Sequence, residues 1–116
     1  MDTSPYAKAV SFGDRLKKSS DLKRNFPSKI PTIMESHDNQ HLDKSKYLIP
    51  ENFTVAQVLN ILRTRLQLSS SQALYICAGK TMLSGSQSMM SIYSQHKALD
   101  GFLYLTYCGE NVFGSF

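Results

Sequence analysis

One helix limits the possible folds of this chain more than any other feature of the sequence. Thr54 and Gln57 have the spacing of a capping box at a helix start. The apolar residues that follow recur at helical spacings, at Val55, Val58, Leu59, Leu62 and Leu66. The pattern predicts one amphipathic helix over residues 54–68, whose apolar stripe has to be covered by other elements.

Short strand-like segments lie on both sides of this helix. Four strands are predicted, at Lys29–Met34, Lys46–Ile49, Leu74–Ala78 and Phe102–Cys108. A short helix over 88–97 lies between the last two strands. This order, strand–strand–helix–strand–helix–strand, predicts an α+β fold of the ubiquitin-like β-grasp type with a four-stranded mixed sheet.

The segment before the first strand predicts two additional N-terminal helices. Residues 1–10 are expected to be an irregular lead-in, and residues 11–25 to form two short helices, the second capped by Ser19 or Ser20 and stopped by Pro27. The predicted organisation is one compact domain made of a helical extension over 1–25, a β-grasp unit over 26–109 and a flexible tail over 110–116.

Composition agrees with a single globular domain. The chain has 116 residues, 41% of them apolar and 19% charged, which is enough apolar material for a modest core. No apolar run approaches the ~18–20 residues of a membrane-spanning helix. Residues 1–5 lack the basic and apolar pattern of a secretory signal, so the sequence predicts neither a signal peptide nor an integral membrane protein.

The charge is concentrated near the N-terminus. Residues 1–30 hold seven cations and three acids, and residues 31–116 hold six of each sign, so the first segment accounts for the whole net charge of +4. A solvated helix face is one interpretation. Attraction to acidic peptides or anionic lipid is the other. Nucleic acid is the weakest of the possible acidic partners and is not the predicted one, because no nucleic-acid-binding motif accompanies the charge.

The cysteines and histidines argue against enzymatic and metal chemistry. Cys77 and Cys108 lie in apolar segments and are expected to be small buried hydrophobes, with a disulfide or a nucleophilic thiol assisted by His96 as alternatives. A nucleophile would need a lowered thiol pKa in an exposed, electropositive site. CxxC, HExxH, GxxxxGK[ST] and GxGxxG motifs are absent, so no metal, no cofactor and no catalytic residues are predicted.

Five segments resemble one family when they are taken together. They are FPSKIP at 26–31, DKSKYLIP at 43–50, ILRTRL at 61–66, DGFLY at 100–104 and ENVFG at 110–114. In this order they resemble autophagy-related protein eight and its animal relatives, the GABA-receptor-associated protein and the microtubule-associated protein light chain. The resemblance extends over residues 12–114.

The resemblance implies a ubiquitin-like autophagy modifier that is made as a precursor. A cysteine protease would cut after Gly114, beside Phe113, and remove Ser115 and Phe116. Activating and conjugating enzymes would then join Gly114 to phosphatidylethanolamine, whose two acyl chains anchor a protein stably. The protein, a monomer when free, would move from the cytoplasm to the autophagosome membrane. On the tail sequence alone, an ordinary frayed C-terminus is the alternative.

The resemblance also implies a groove for aromatic-x-x-aliphatic peptides of cargo receptors and adaptors, which would add as a strand beside Lys46–Ile49. The implied aromatic pocket comprises Leu22, Pro31, Ile33, Leu48 and Phe102. The implied aliphatic pocket comprises Tyr47, Ile49, Pro50, Phe53, Val58 and Ile61. The cations implied to meet acidic flanking residues are Lys44, Lys46 and Arg65. For each apolar residue, a place in the core is the alternative.

Several positions depart from the family pattern. Lys18 stands where relatives often carry an acid, and Val58 replaces a usual aromatic residue. Two further functional readings stay open: a peptide-binding adaptor that is never conjugated, and a basic N-terminal region that contacts microtubules, RNA or other anionic surfaces.

Overall fold

The computed structural model describes residues 4–37, 45–69 and 71–109. Its helices are α1 (Pro5–Ala9), α2 (Phe12–Asn25), α3 (Val55–Leu66) and α4 (Met89–His96). Its strands are β1 (Lys29–Ser36), β2 (Lys46–Pro50), β3 (Leu74–Ala78), β4 (Thr81–Met82) and β5 (Leu103–Gly109). The α+β class and the β-grasp order of the larger elements are therefore confirmed.

The strands form one mixed sheet in the order β2-β1-β5-β3-β4. The central pair, β1 and β5, is parallel, and the other pairs are antiparallel. The prediction of four strands was wrong by one, because Thr81–Met82 turns back on β3 after Gly79, which has a φ of 60°. A two-residue strand is too short to show the alternation from which strands are predicted.

Two helices cover one face of the sheet and enclose the core. The stripe of α3 predicted from the sequence is buried at Val55, Val58 and Leu62, and α4 adds Met89 and Ile92. The capping box is present as predicted: Thr54 N–H donates to Gln57 Oε1 at 2.8 Å, and Gln57 N–H donates to Thr54 Oγ1 at 3.3 Å. The helix ends at Leu66, two residues earlier than predicted, because Gln67 adopts a left-handed conformation.

The N-terminal helices lie at other positions than predicted. Residues 5–9, expected to be irregular, form α1, and residues 12–25 form one continuous helix instead of two. The caps are Ser4 and Ser11, whose hydroxyls accept from the N–H groups three residues on. Ser19 does not cap, because its hydroxyl lies within hydrogen-bonding distance of the carbonyls of Leu16 and Asp100.

A buried carboxylate joins α2 to the start of β5. Asp100 is fully buried, and its Oδ2 accepts from Arg15 Nη1 at 2.8 Å and from the Tyr104 hydroxyl at 2.5 Å. Its Oδ1 accepts from the Phe102 N–H at 3.0 Å. Gly101 has a φ of 89°, and a Cβ there would collide with Ser19. The close approach of α2 to this turn therefore requires glycine.

This network predicts a loss of stability at alkaline pH. Burial, and then the hydrogen bond to Asp100, raise the pKa of Tyr104 well above its ordinary value of 10.0. The Tyr104 phenol therefore ionises at a lower pH in the unfolded chain than in the folded one. Its contribution to the free energy of unfolding is complete below about pH 10 and declines as pH rises through the higher pKa of the folded state. Denaturant titrations between pH 8 and 12 should show this decline.

The Tyr104→Phe variant isolates the contribution of that hydroxyl. It should be less stable at neutral pH, and its stability should fall less steeply above about pH 10. A residual slope is expected, because burial also raises the pKa of Tyr6 and Tyr93. An unchanged slope in Tyr104→Phe would contradict this assignment.

Candidate functional site

A groove of about 530 Å³ lies where α2, β2 and α3 meet. Its lining is mostly apolar, with cations at its edge. The lining residues are Lys18, Leu22, Met34, Lys46, Tyr47, Leu48, Ile49, Pro50, Phe53, Val58, Ile61, Leu62 and Arg65. Most of them come from β2 and α3, which the sequence patterns had placed correctly.

The edge strand β2 runs through this groove. It pairs with β1, where Leu48 lies opposite Pro31 and Lys46 opposite Ile33. Side chains alternate along a strand. Tyr47 and Ile49 therefore face the core that α3 covers, and Lys46 and Leu48 face the side of α1 and α2. An edge strand that runs through an apolar groove is an arrangement that accepts an added peptide strand.

The groove brings together ten of the fourteen residues that the resemblance implied for peptide binding. These ten are Leu22, Lys46, Tyr47, Leu48, Ile49, Pro50, Phe53, Val58, Ile61 and Arg65. Pro31, Ile33 and Phe102 are buried and do not line it. Lys44 lies outside the described residues, as do the cleavage and lipidation residues Phe113, Gly114, Ser115 and Phe116.

The sequence analysis missed one aromatic residue beside the groove. The ring of Tyr6 in α1 meets that of Phe102 edge to face, at 5.5 Å between centroids. Its N–H donates to Glu35 Oε2 at 2.9 Å, and Lys46 Nζ lies 5.4 Å from its ring centre. Tyr6 therefore covers part of the implied aromatic pocket and leaves Leu22 and Leu48 open to the groove.

Three residues that line the groove were not among the residues implied for peptide binding. Leu62 continues the apolar stripe of α3, and Met34 lies in β1. Lys18, which had been noted only as a departure from the family pattern, lines the groove from α2. Helical periodicity could have placed Leu62 there, but the contribution of Lys18 depends on how α2 packs on the sheet.

The groove favours negatively charged ligands. Lys18, Lys46 and Arg65 line it, and no carboxylate is among its lining residues in the described part of the chain. Arg65 lies 5.6 Å from the ring centre of Tyr47, so its guanidinium is held over the groove wall. Cations at the edge of an apolar groove attract acidic groups that flank an apolar ligand.

The thiols lack the features of a catalytic nucleophile. Cys108 is buried, and burial raises the pKa of the partly buried Cys77. A raised pKa is the opposite of what nucleophilic catalysis by a thiol requires. Within residues 4–37, 45–69 and 71–109, no cluster of three or more histidine, cysteine or acidic residues could hold a metal. In the same ranges, no helix is long and apolar enough to cross a bilayer.

The β-grasp sheet, the two helices before it and the groove along its edge strand define a ubiquitin-like protein. Comparison with known proteins gives the family. Residues 14–114 match the family described as autophagy protein Atg8, ubiquitin like, and the chain belongs to this family.

Curated relatives and a solved structure agree with this assignment. Autophagy-related protein 8a of Arabidopsis thaliana is 39% identical over 87% of this chain and 85% of its own length. Autophagy-related protein 8 of Schizosaccharomyces pombe is 37% identical over 97% of this chain and 95% of its own. The crystal structure of Trypanosoma brucei ATG8 superimposes with a TM-score of 0.86 at 35% identity and covers 92% of this chain and 95% of that one.

Proposed function

We propose that this protein is an autophagy modifier whose groove binds aromatic-x-x-aliphatic peptides with acidic flanks. The observation that carries the proposal is the cation-edged apolar groove along the edge strand β2. Membership of the Atg8 family supports the same role. The ligands would be cargo receptors and adaptors, and the chain itself would act as a binding protein and not as an enzyme.

The proposed complex uses both sides of β2. The peptide backbone pairs with the open edge of the strand, which determines the register of the peptide. Its aromatic side chain packs near Leu22 and Leu48, and its aliphatic side chain packs among Ile49, Val58 and Ile61. Ile61 is 43% exposed, so part of this second pocket is already accessible. Acidic flanking residues pair with the lysine and arginine side chains at the edge.

Titration with a short acidic peptide of this type tests the groove. We expect chemical-shift changes along β2 and the groove face of α3, with an affinity that falls as salt is raised because the cations contribute. Leu48→Asp should weaken binding by at least about 100-fold, since it removes an apolar contact and puts a carboxylate under the peptide.

Met82→Asp is the matched control for this variant. Met82 is 55% exposed on β4, away from the groove. The Met82→Asp variant should bind the peptide with the same affinity as the unmodified chain. Equal affinities for Leu48→Asp and Met82→Asp would exclude the groove as the binding site.

We infer that the tail is cut after Gly114 and joined to phosphatidylethanolamine. Family membership supports this step, and so does the ENVFG segment that ends at Gly114. The partners would be a processing cysteine protease and the activating and conjugating enzymes. No prosthetic group is needed beyond the covalent lipid itself.

Intact mass of the protein from its own cells tests the conjugation. The soluble form should lack Ser115 and Phe116, and the membrane form should carry one phospholipid on Gly114. A full-length, unmodified chain in both fractions during starvation would contradict conjugation and would favour an adaptor that acts only through the groove.

A further inference from the structure

A second exposed surface lies away from the groove, at the turn before β5. Its three apolar members, which we call the Leu99 cap, are Phe12, Leu16 and Leu99, with 46%, 41% and 87% of their surface exposed. Phe12 and Leu16 are one helical turn apart on α2. The backbone beside Leu99 lies close to this helix, because the carbonyls of Leu16 and of Asp100, the residue after Leu99, are both within hydrogen-bonding distance of the Ser19 hydroxyl.

The turn holds Leu99 outward in a defined conformation. Ala98 N–H donates to the Phe102 carbonyl at 2.9 Å, and Gly101 N–H donates back to the Ala98 carbonyl at 3.0 Å. The buried Asp100 ties the same turn to Arg15 in α2. The exposure of Leu99 is therefore a consequence of a well-bonded turn.

Two lysines lie near the turn that carries Leu99. Lys23 and Lys97 each place Nζ 5.5 Å from the ring centre of Tyr93, whose hydroxyl donates to the Gly101 carbonyl at 2.8 Å. The two acids of α2, Asp14 and Asp21, lie on the opposite side of that helix from Phe12. Asp100 is buried against Arg15. Among the described residues, the side of the cap towards Tyr93 therefore carries positive charge.

We propose that the Leu99 cap docks on a lipid bilayer that contains anionic phospholipids. Apolar side chains that protrude from the surface, with lysines nearby, match a headgroup region: the leucines and phenylalanine enter the acyl boundary and the ammonium groups stay among the phosphates. The three apolar side chains are 41% to 87% exposed, so they are available to enter a bilayer. The charge of Lys23 and Lys97 selects anionic over neutral lipid.

This docking does not depend on the proposed conjugation. The cap lies at the start of β5, and the chain continues towards Gly114 from the other end of that seven-residue strand, about 20 Å away. The cap and Gly109, the last described residue, therefore lie at opposite ends of one strand. The unconjugated full chain is the right material for the test, and a failure of conjugation would leave this proposal standing.

A tryptophan placed in the cap reports the contact directly, since the chain contains none. Leu99→Trp should show a blue-shifted emission on vesicles of phosphatidylcholine with phosphatidylserine, and quenching by brominated acyl chains. Vesicles of phosphatidylcholine alone should give no shift. Met82→Trp, at a similarly exposed position on β4, should give no shift with either vesicle. No shift for Leu99→Trp, or equal shifts for both variants, would overturn the proposal.

Co-sedimentation with the same anionic vesicles measures the contribution of the cap. Leu16→Ser with Leu99→Ser should lower the partition coefficient at least about tenfold, because two leucines no longer enter the bilayer. Met82→Ser with Met90→Ser, two comparably exposed methionines, should bind as the unmodified chain does. Undiminished binding of the Leu16→Ser, Leu99→Ser variant would overturn the proposal. So would a dimer that forms without vesicles in the unmodified chain and is lost in this variant.

Discussion

Replacing Gly114 with alanine should abolish the phospholipid-bearing form of this protein. Under the proposed function, the Gly114 carbonyl is attacked at every step: the protease thiolate displaces the amine of Ser115, and water then releases the free carboxylate. After ATP activates that carboxylate, the thiols of the activating and conjugating enzymes carry it in turn as a thioester, and the phosphatidylethanolamine amine displaces the last thiol. A glycine has no Cβ, so its carbonyl is open to each attack and its backbone fits a narrow cleft. A methyl group at this position obstructs every step in the series, and the losses multiply.

Gly13→Ala is the control for that substitution. Gly13 lies in α2, and a Cβ there would meet nothing within 4 Å. Intact mass of the membrane fraction should show one phospholipid on Gly13→Ala and none on Gly114→Ala. Peptide binding by Gly114→Ala should be unchanged, because the groove is built from residues 18–65. Normal lipid attachment in Gly114→Ala would exclude this glycine as the conjugation site.

Asp100→Ala should cause the largest loss of stability. The substitution removes the acceptor for Arg15, Tyr104 and the Phe102 N–H at once and leaves those donors in a buried region. Removal of one partner from a buried charged pair costs about 3–5 kcal/mol. For a domain of this size, the midpoint of thermal unfolding should fall by more than about 10 °C.

Two further variants separate this effect from a general loss of charge. Asp21→Ala removes an acid whose partners, Lys17 and Arg24, are mostly exposed, and its melting temperature should change by less than about 2 °C. Arg15→Leu combined with Asp100→Ala should recover part of the loss, because no uncompensated charge stays buried. If Asp100→Ala and Asp21→Ala have the same midpoint of thermal unfolding, the network does not stabilise the fold.

The elements that sequence patterns predicted well are those with a strong local period. The helix α3 has a capping box and an apolar stripe within one segment, and β3 was predicted with its observed bounds. By contrast, α1 has five residues and β4 has two, and neither is long enough to display a period. Ser19 was misread as a cap because its partner, the Asp100 carbonyl, is 81 residues away.

The candidate site divides in the same way. The segments DKSKYLIP and ILRTRL, which carry the family resemblance, include residues of β2 and α3 that line the groove. Phe102, also implied, lies under Tyr6, which belongs to a segment that the sequence predicts to be irregular and that forms α1. The sequence marks Lys18 only as a departure from the family pattern, and it is the packing of α2 that places this lysine in the groove wall.

By itself, the sequence determined the order of the main helices and strands, the basic N-terminal segment and, by resemblance, the family. These properties depend on residues that are close in sequence, because helix and strand periods, caps and charge runs are local. Only the tertiary structure decided that Tyr6 covers Phe102, that Arg15 pairs with Asp100, and that Leu99 stands beside α2. Those contacts join residues up to 96 positions apart, and no local pattern encodes them, because they form only when the sheet brings the two ends of the chain together.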